Sequence, residues 1–291
     1  MANDSYFFKN RLLEITYTNS KTIGTEENFK PHLHDFYEIY YFLNGDVTYY
    51  IEGRAYQLAK NNLLLINNRE LHKPVLNSAI PYERIVIHFY PWEIKKYNYL
   101  DFDLLCCFEN RSTADNNKII DQNKKIFSYL KKIAEYINTK PAEAEIMIET
   151  YFIQLLVLIN QLFKQNQQKN IQEMSTYNSR ILKIIKFINQ NLEAELSLNS
   201  LAAEFYLNKS YLAHIFKENT GFSVLQYIHY KKIMKAKELL LTEKSCGEVA
   251  SILNFGNYSS FYRAFKKEIG ISPQKYQKKI DQKREFKSFL V

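Results

Sequence analysis

Cysteine is nearly absent from this chain. Three occur in 291 residues, Cys106, Cys107 and Cys246. Two are adjacent and none has metal-ligand spacing, which excludes both a cysteine metal framework and a disulfide-stapled secreted scaffold. No uninterrupted apolar run approaches the roughly 18 residues that span a bilayer. The opening stretch MANDSYFFKNRLLEITY lacks the basic start and apolar segment of a secretory signal. These absences set the expectation of a soluble, cytoplasmic protein with no membrane partner. Acidic residues are scarce at one end only. From Ser179 to Val291 there are 19 Lys/Arg against 10 Asp/Glu, whereas Met1 to Asn178 holds 20 against 21. The excess positive charge therefore sits in the last part of the chain, where it would attract phosphates and release their counterions. The length suits two domains of ordinary size.

That basic part contains a repeat. FGNYSSFYRAFKKEIGISP, from Phe255 to Pro273, predicts a helix capped by Asn257. Phe261, Ala264, Phe265 and Ile269 then form a core-facing stripe, and Gly270 stands where a C-cap tolerates positive φ. Tyr258, Ser259, Tyr262, Arg263 and Lys266 form a second, polar stripe. On a lone helix this would be a solvated face. The pattern recurs 49 residues earlier in LNKSYLAHIFKENTGFS: Asn208 matches Asn257, Phe216 matches Phe265, Lys217 matches Lys266 and Gly221 matches Gly270. Upstream the offset becomes 48, pairing Leu201-Ala202 with Val249-Ala250. Each copy reads as helix, tight turn, helix, the order of a helix-turn-helix. The connector SVLQYIHYKKIMKAKELLLTEK predicts a helix from Val224 to Leu241, roughly 27 Å long at 1.5 Å per residue. Such a spacer suits two helices entering major-groove segments about 34 Å apart. Its Lys231, Lys232, Lys235 and Lys237 fit phosphate contact and a solvated face equally.

The N-terminal half changes character. IYYFLN, VTYYIE, RAYQLA, NLLLIN and RIVIHFY read as strands of a small barrel or sandwich, with turns at Asn44-Gly45-Asp46, Glu52-Gly53 and Lys60-Asn61-Asn62. Within HLHDFYEIYYFLNG, period two puts His32, His34 and Glu38 on one face of a strand. With His72 they offer three imidazoles and a carboxylate, a plausible ligand set for zinc or non-haem iron. The spacing resembles the first metal motif of cupin barrels. The second motif is eroded, with Asn61, Asn62, Asn67 and Asn68 in its place. Three readings stay open: a metal site, the polar lining of a small-molecule pocket, or residues that support the barrel.

Two helical patterns follow. Asn117 to Asn138 carries Ile119, Ile126, Leu130, Ile133 and Ile137, and Pro141 to Gln165 is apolar almost all round its middle. This pair suits either dimerisation or packing within the chain. The polar stretch before Ser179 reads as a linker.

LSLNSLAAEFYLNKSYLAHIFKENTGFS, YIHYKKIMKAKELL and NFGNYSSFYRAFKKEIGISPQKY together resemble the DNA-binding domain of the AraC/XylS family of bacterial transcription regulators, over Leu196 to Tyr276. The strand-rich half is similar to that family's cupin-like sensory domain. The resemblance implies an α+β chain: an N-terminal cupin-like β-barrel with a helical pair, then an all-α domain of two helix-turn-helix motifs. The implied domains are a sensory domain over 1–112, a helical pair over 113–166, a linker over 167–178 and a tandem helix-turn-helix domain over 179–280. It further implies double-stranded promoter DNA, RNA polymerase and a small-molecule effector as partners. The polar and Tyr side chains of the motif make a sugar a reasonable effector class, with an aromatic or fatty acid as the alternative, and the helical pair suits a homodimer. Carried over by position, DNA contacts fall to Lys209, Ser210, Ala213, His214 and Lys217 in the first recognition helix. In the second they fall to Tyr258, Ser259, Tyr262, Arg263 and Lys266. Effector contacts fall to His32, His34, Tyr37, Glu38 and His72. No catalytic residue, resident metal or cofactor is expected. The sequence departs from the family pattern at Asn254, where Gly is usual, and at Lys232, where Arg is usual. The contrasting readings are a metal-dependent cupin enzyme with an appended nucleic-acid module, and a DNA binder without sequence preference.

Overall fold

The computed structural model describes residues 5–20, 34–98, 102–111, 117–169, 179–242 and 244–278. Two compact units emerge, the first built from most of residues 1–177 and the second carrying 178–291.

In the first unit the strands are β1 (Phe7–Lys9), β2 (Leu13–Ser20), β3 (Tyr37–Asn44), β4 (Val47–Ile51), β5 (Arg54–Gln57), β6 (Asn62–Ile66), β7 (His72–Leu76), β8 (Tyr82–Phe89) and β9 (Lys118–Ile120). They form two sheets among the described residues, in the orders β1-β2-β8-β3-β6-β9 and β5-β4-β7, and not one closed barrel. β7 was not among the expected strands, because Pro74 interrupts the run. Pro74 is tolerated there since β7 lies at a sheet edge, paired only with β4. The central strand β3 is buried on both faces. Ile39, Tyr41 and Leu43 join a core shared with the helices, while Tyr40 and Phe42 join a second core with Val47, Tyr49, Tyr56 and Tyr82 between the sheets.

Short helices α1 (Pro91–Ile94) and α2 (Cys106–Glu109) precede α3 (Lys125–Thr139) and α4 (Ala144–Lys169). The first long helix thus starts eight residues later than the Asn117 expected for it, because Ile119 pairs with Leu63 at the sheet edge. An apolar residue fits an edge strand as well as a helix, and periodicity cannot choose between them. α3 buries Ile126, Leu130, Ile133 and Ile137, the expected stripe. Among the described residues, α4 contains the one segment long and apolar enough to cross a bilayer, Ala144–Gln165, with mean hydropathy 1.6. This qualifies the absence of uninterrupted apolar runs. Phe152, Leu155, Leu156, Ile159 and Phe163 of α4 are buried in the core it shares with α3 and the larger sheet.

The second unit holds α5 (Ser179–Gln190), α6 (Leu198–Glu204), α7 (Lys209–Thr220), α8 (Val224–Leu239), α9 (Cys246–Ile252) and α10 (Tyr258–Ile269). The repeat is visible atom by atom. Ser197 and Ser245 close capping boxes on α6 and α9. The Leu207 N–H donates to the Ala202 carbonyl at 2.8 Å, and the Phe255 N–H donates to the Ala250 carbonyl at 3.1 Å. Gly221 and Gly270 take φ of 72° and 82° and close α7 and α10, a conformation that would strain any side chain. Phe261 and Phe265 are fully buried with Val249, Leu253 and Tyr276.

Candidate DNA-reading face and sensory cluster

α7 and α10 are the second helices of the two repeats, each placed by an Asn cap. Asn208 Oδ1 accepts from the Ser210 and Tyr211 N–H groups, and Asn257 Oδ1 accepts from the Ser260 N–H. Each helix turns its apolar side inward, which leaves the polar stripe outside. Lys209, Ser210, His214 and Lys217 are exposed on α7, with Ala213 half-buried among them. Tyr258, Ser259, Arg263 and Lys266 are exposed on α10, with Tyr262 half-buried. The α10 stripe is continuous: the Tyr258 and Tyr262 rings lie 6.2 Å apart, and Lys266 Nζ lies 5.9 Å from the Tyr262 centroid. Among the described residues no carboxylate pairs with Lys209, Lys217, Arg263 or Lys266. A solvated helix face can answer its cations with Glu at i+4; here His214 has such a neighbour, Glu218 at 4.0 Å, while the three lysines and Arg263 have none among the described residues.

The connector α8 behaves differently from one candidate role. Lys232 is buried, its Nζ lies 3.4 Å from the Ala194 carbonyl, and burial lowers its pKa. It faces protein, not an outer surface suited to phosphate.

In the first unit the polar cluster centres on Glu38 of β3, which is 4 % exposed. Its register partner on β8 is His88, whose Nε2 lies 3.1 Å from Glu38 Oε2. His72, at the start of β7, places Nε2 at 3.6 Å from the same oxygen. Its Nδ1 lies 2.8 Å from the Glu70 carbonyl, which marks Nδ1 as the protonated nitrogen. Tyr49 donates its hydroxyl to Glu38 Oε1 at 3.2 Å. Burial alone would raise the Glu38 pKa, but His72 and His88 outweigh it and hold the carboxyl well below its usual range. Burial likewise opposes charge on His72, and Glu38 outweighs it, raising the imidazole. Tyr49, buried beside this anion, is pushed far above its ordinary value and stays a neutral donor.

Tyr37, expected in the same site, lies on the opposite face because strand neighbours alternate. Its ring stacks on Phe108 at 5.2 Å and its hydroxyl donates to Glu109. His32 lies outside the described residues. His34, Glu38 and His72 each bring one ligand-type atom within 4.8 Å of the others, a donor set suited to a divalent transition metal. Both Glu38 oxygens are nevertheless engaged by Tyr49 and His88, so protein groups alone satisfy the buried charge. His88 and Tyr49 escaped sequence reasoning. Alternation in RIVIHFY marks a strand but not which strand lies beside it.

Comparison with known proteins decides the identity. An AraC-like ligand binding domain model matches residues 22–108, and a helix-turn-helix domain model matches residues 201–279. The Msm operon regulatory protein of Streptococcus mutans is 24% identical over 274 residues, covering 92% of this chain and 93% of its own. The transcriptional activator RhaS of Mannheimia succiniciproducens is 25% identical, covering 86% of this chain and 89% of its own. The melibiose operon regulatory protein of Escherichia coli is 31% identical over 44% of this chain and 42% of its own. This chain belongs to the AraC/XylS family. It is a DNA-binding transcription regulator and not an enzyme; its partners are DNA and a small-molecule effector.

In this AraC/XylS regulator the two turns solve one problem with unequal residues. Asn254 has φ of 50° and Tyr206, its match in the first repeat, has φ of 53°. Asn tolerates the left-handed region, and its side chain also donates to the Glu193 carbonyl at 2.7 Å. Tyr206 has no such ease and is 95% exposed. Nothing in the sequence pattern singled it out.

Proposed function

We propose that this AraC/XylS regulator reads two successive major-groove segments of promoter DNA, one with Lys209, Ser210, Ala213, His214 and Lys217 and the other with Tyr258, Ser259, Tyr262, Arg263 and Lys266. The observation that carries the reading is the pair of matched exposed stripes whose Lys and Arg side chains have no carboxylate partner among the described residues. Arg263 is the strongest base reader, since a bidentate contact to guanine discriminates by about 1–3 kcal/mol at one base pair. Ala213 offers apolar contact only, for instance to a thymine methyl.

The domains are assigned as sensory over 1–112, helical pair over 113–166, linker over 167–178 and DNA-binding over 179–280. The effector meets the sensory domain near Glu38, His72, His34 and His32, where buried charge would answer hydroxyl groups. A sugar is the favoured class: one relative's name carries melibiose, and the Tyr49 hydroxyl and two imidazoles converge on Glu38. The helical pair supports a homodimer, and RhaS, named an activator, supports activation through RNA polymerase. Such a protein works in the cytoplasm, where the DNA is.

The test is recovery of fragmented genomic DNA by the full-length protein, followed by sequencing. A few intergenic sites with two half-sites one helical turn apart, relaxed at one base pair by Arg263→Ala, is the expected outcome. Diffuse recovery with and without added sugars, indifferent to Arg263→Ala, would refute the reading.

A further inference from the structure

A cavity of about 360 Å³ lies on the outer face of the larger sheet, against α3. Its floor is apolar: Leu43 and Ile85 come from β3 and β8, and Phe127, Leu130 and Ala134 come from α3. Tyr6 and Tyr17, stacked at 5.2 Å, make one wall. This volume falls at the small end of ligand pockets, about 300–1,000 Å³, and suits a single substituted ring.

The rim is cationic. Lys60, Lys124 and Lys131 line it, and among the described residues no carboxylate pairs with any of them. The one lining carboxylate, Glu83, already accepts the Tyr17 hydroxyl at 2.6 Å. Lys131 Nζ lies over the Phe127 ring at 5.1 Å, at the edge of the floor. Three lysines without a carboxylate partner among the described residues, around an apolar floor, describe a receptor for an anion that carries a greasy body.

The rim is also built to hold its shape. Asn61 and Lys124 both take left-handed backbone, with φ of 66° and 54°. A conformation this costly persists where its surroundings over-determine it, and such positions cluster at ligand sites. Here the determinant is Asp121, which is buried. Its N–H donates to the Asn61 carbonyl at 3.0 Å, and its own carbonyl accepts the Lys124 N–H at 3.1 Å. Its carboxylate accepts the Tyr41 hydroxyl at 3.1 Å and the Phe127 N–H at 3.0 Å. One residue thus ties the turn bearing Lys60 to the start of α3. A rim ordered in advance loses little freedom when a ligand arrives.

We propose that this cleft binds an amphipathic anion, a ring-sized apolar body bearing one carboxylate or phosphate. The body lies on the Leu43–Ile85–Phe127 floor and the charge among the three lysines. The site is separate from the Glu38 cluster, because Leu43 and Glu38 project from opposite faces of β3. It therefore stands or falls independently of the effector reading above.

The experiment titrates the full-length protein with phenylacetate, phenyl phosphate and the neutral 2-phenylethanol. Binding is read by ligand-observed NMR and by the shift in thermal midpoint. At least one anion is expected to bind with Kd of about 1 mM or tighter, and the alcohol about tenfold or more weakly. The tighter anion identifies the charged group. Combined Lys60→Gln and Lys131→Gln should weaken that anion about tenfold or more. Ala134→Phe fills the cleft without changing charge and should abolish binding. DNA affinity should be unchanged in both variants. The proposal is overturned if the alcohol binds as well as the anions, if either variant keeps full affinity, or if neither anion binds at about ten times that concentration.

Discussion

At the residue scale, Glu38 shows how a buried charge survives. Its carboxylate has lost nearly all its water, and Tyr49, His72 and His88 replace that water from three strands. The linkage signs follow from the two shifts. Glu38 is depressed below its ordinary 4.5, so its contribution to stability is present above that value and is lost as pH falls through the lower folded pKa. His72 is raised above 6.5, so its contribution is present below that value and is lost as pH rises through the folded pKa. The melting temperature of the sensory unit should therefore peak between these limits. Glu38→Gln should lower the peak and flatten both limbs, as a thermal melt at successive pH values would show; an unchanged profile would mean the network carries no net charge coupling. Tyr206 makes the complementary point about backbone. A left-handed conformation costs a residue with Cβ about 1–2 kcal/mol, and Gly gives back part of that through its looser unfolded chain. Tyr206→Gly should then stabilise the second unit by about 0.5–1 kcal/mol in urea titration.

At the scale of elements, α7 and α10 stand on three supports: an Asn cap, a buried aromatic pair or its equivalent, and a closing Gly. Asn257→Ala leaves the Ser260 N–H unanswered and should cost about 1 kcal/mol. Phe265→Ala empties a fully buried ring site between α9 and α10 and should cost about 3–5 kcal/mol. Chemical denaturation of the full-length protein would separate the two, and DNA affinity at low temperature should survive the first change. These supports are legible in the sequence, because capping and 3.6-residue periodicity are local rules. The start of α3 was not legible. Ile119 obeys the helical spacing, yet its backbone partner is Leu63, more than fifty residues earlier.

At the scale of the whole molecule, charge separates the two ends of the chain. The near-neutral first part and the basic remainder imply that attraction to DNA is concentrated after Ser179. Binding by the full-length protein should weaken steeply with salt. Lys217→Ala and Lys266→Ala should each reduce the slope of log affinity against log salt by about 1 and weaken all sequences alike. Arg263→Ala should instead change preference at one position. A slope that no lysine substitution alters would remove both helices from the interface.

The sequence by itself determined the tandem helix-turn-helix, the capped ends of its helices, the exposed polar stripes of α7 and α10 and the family to which the chain belongs. All of these depend on residues within one helix or one turn of each other, where spacing translates directly into a shared face. Tertiary structure alone decided which strands are neighbours. It brought His88 opposite Glu38, turned Tyr37 to the other side of β3, and opened the expected barrel into two sheets. It also gathered Lys60, Lys124 and Lys131 round one cleft. Strand pairing joins residues far apart in the chain through backbone hydrogen bonds that every residue type makes alike. No side-chain pattern announces such a pairing, so only the folded chain reveals it.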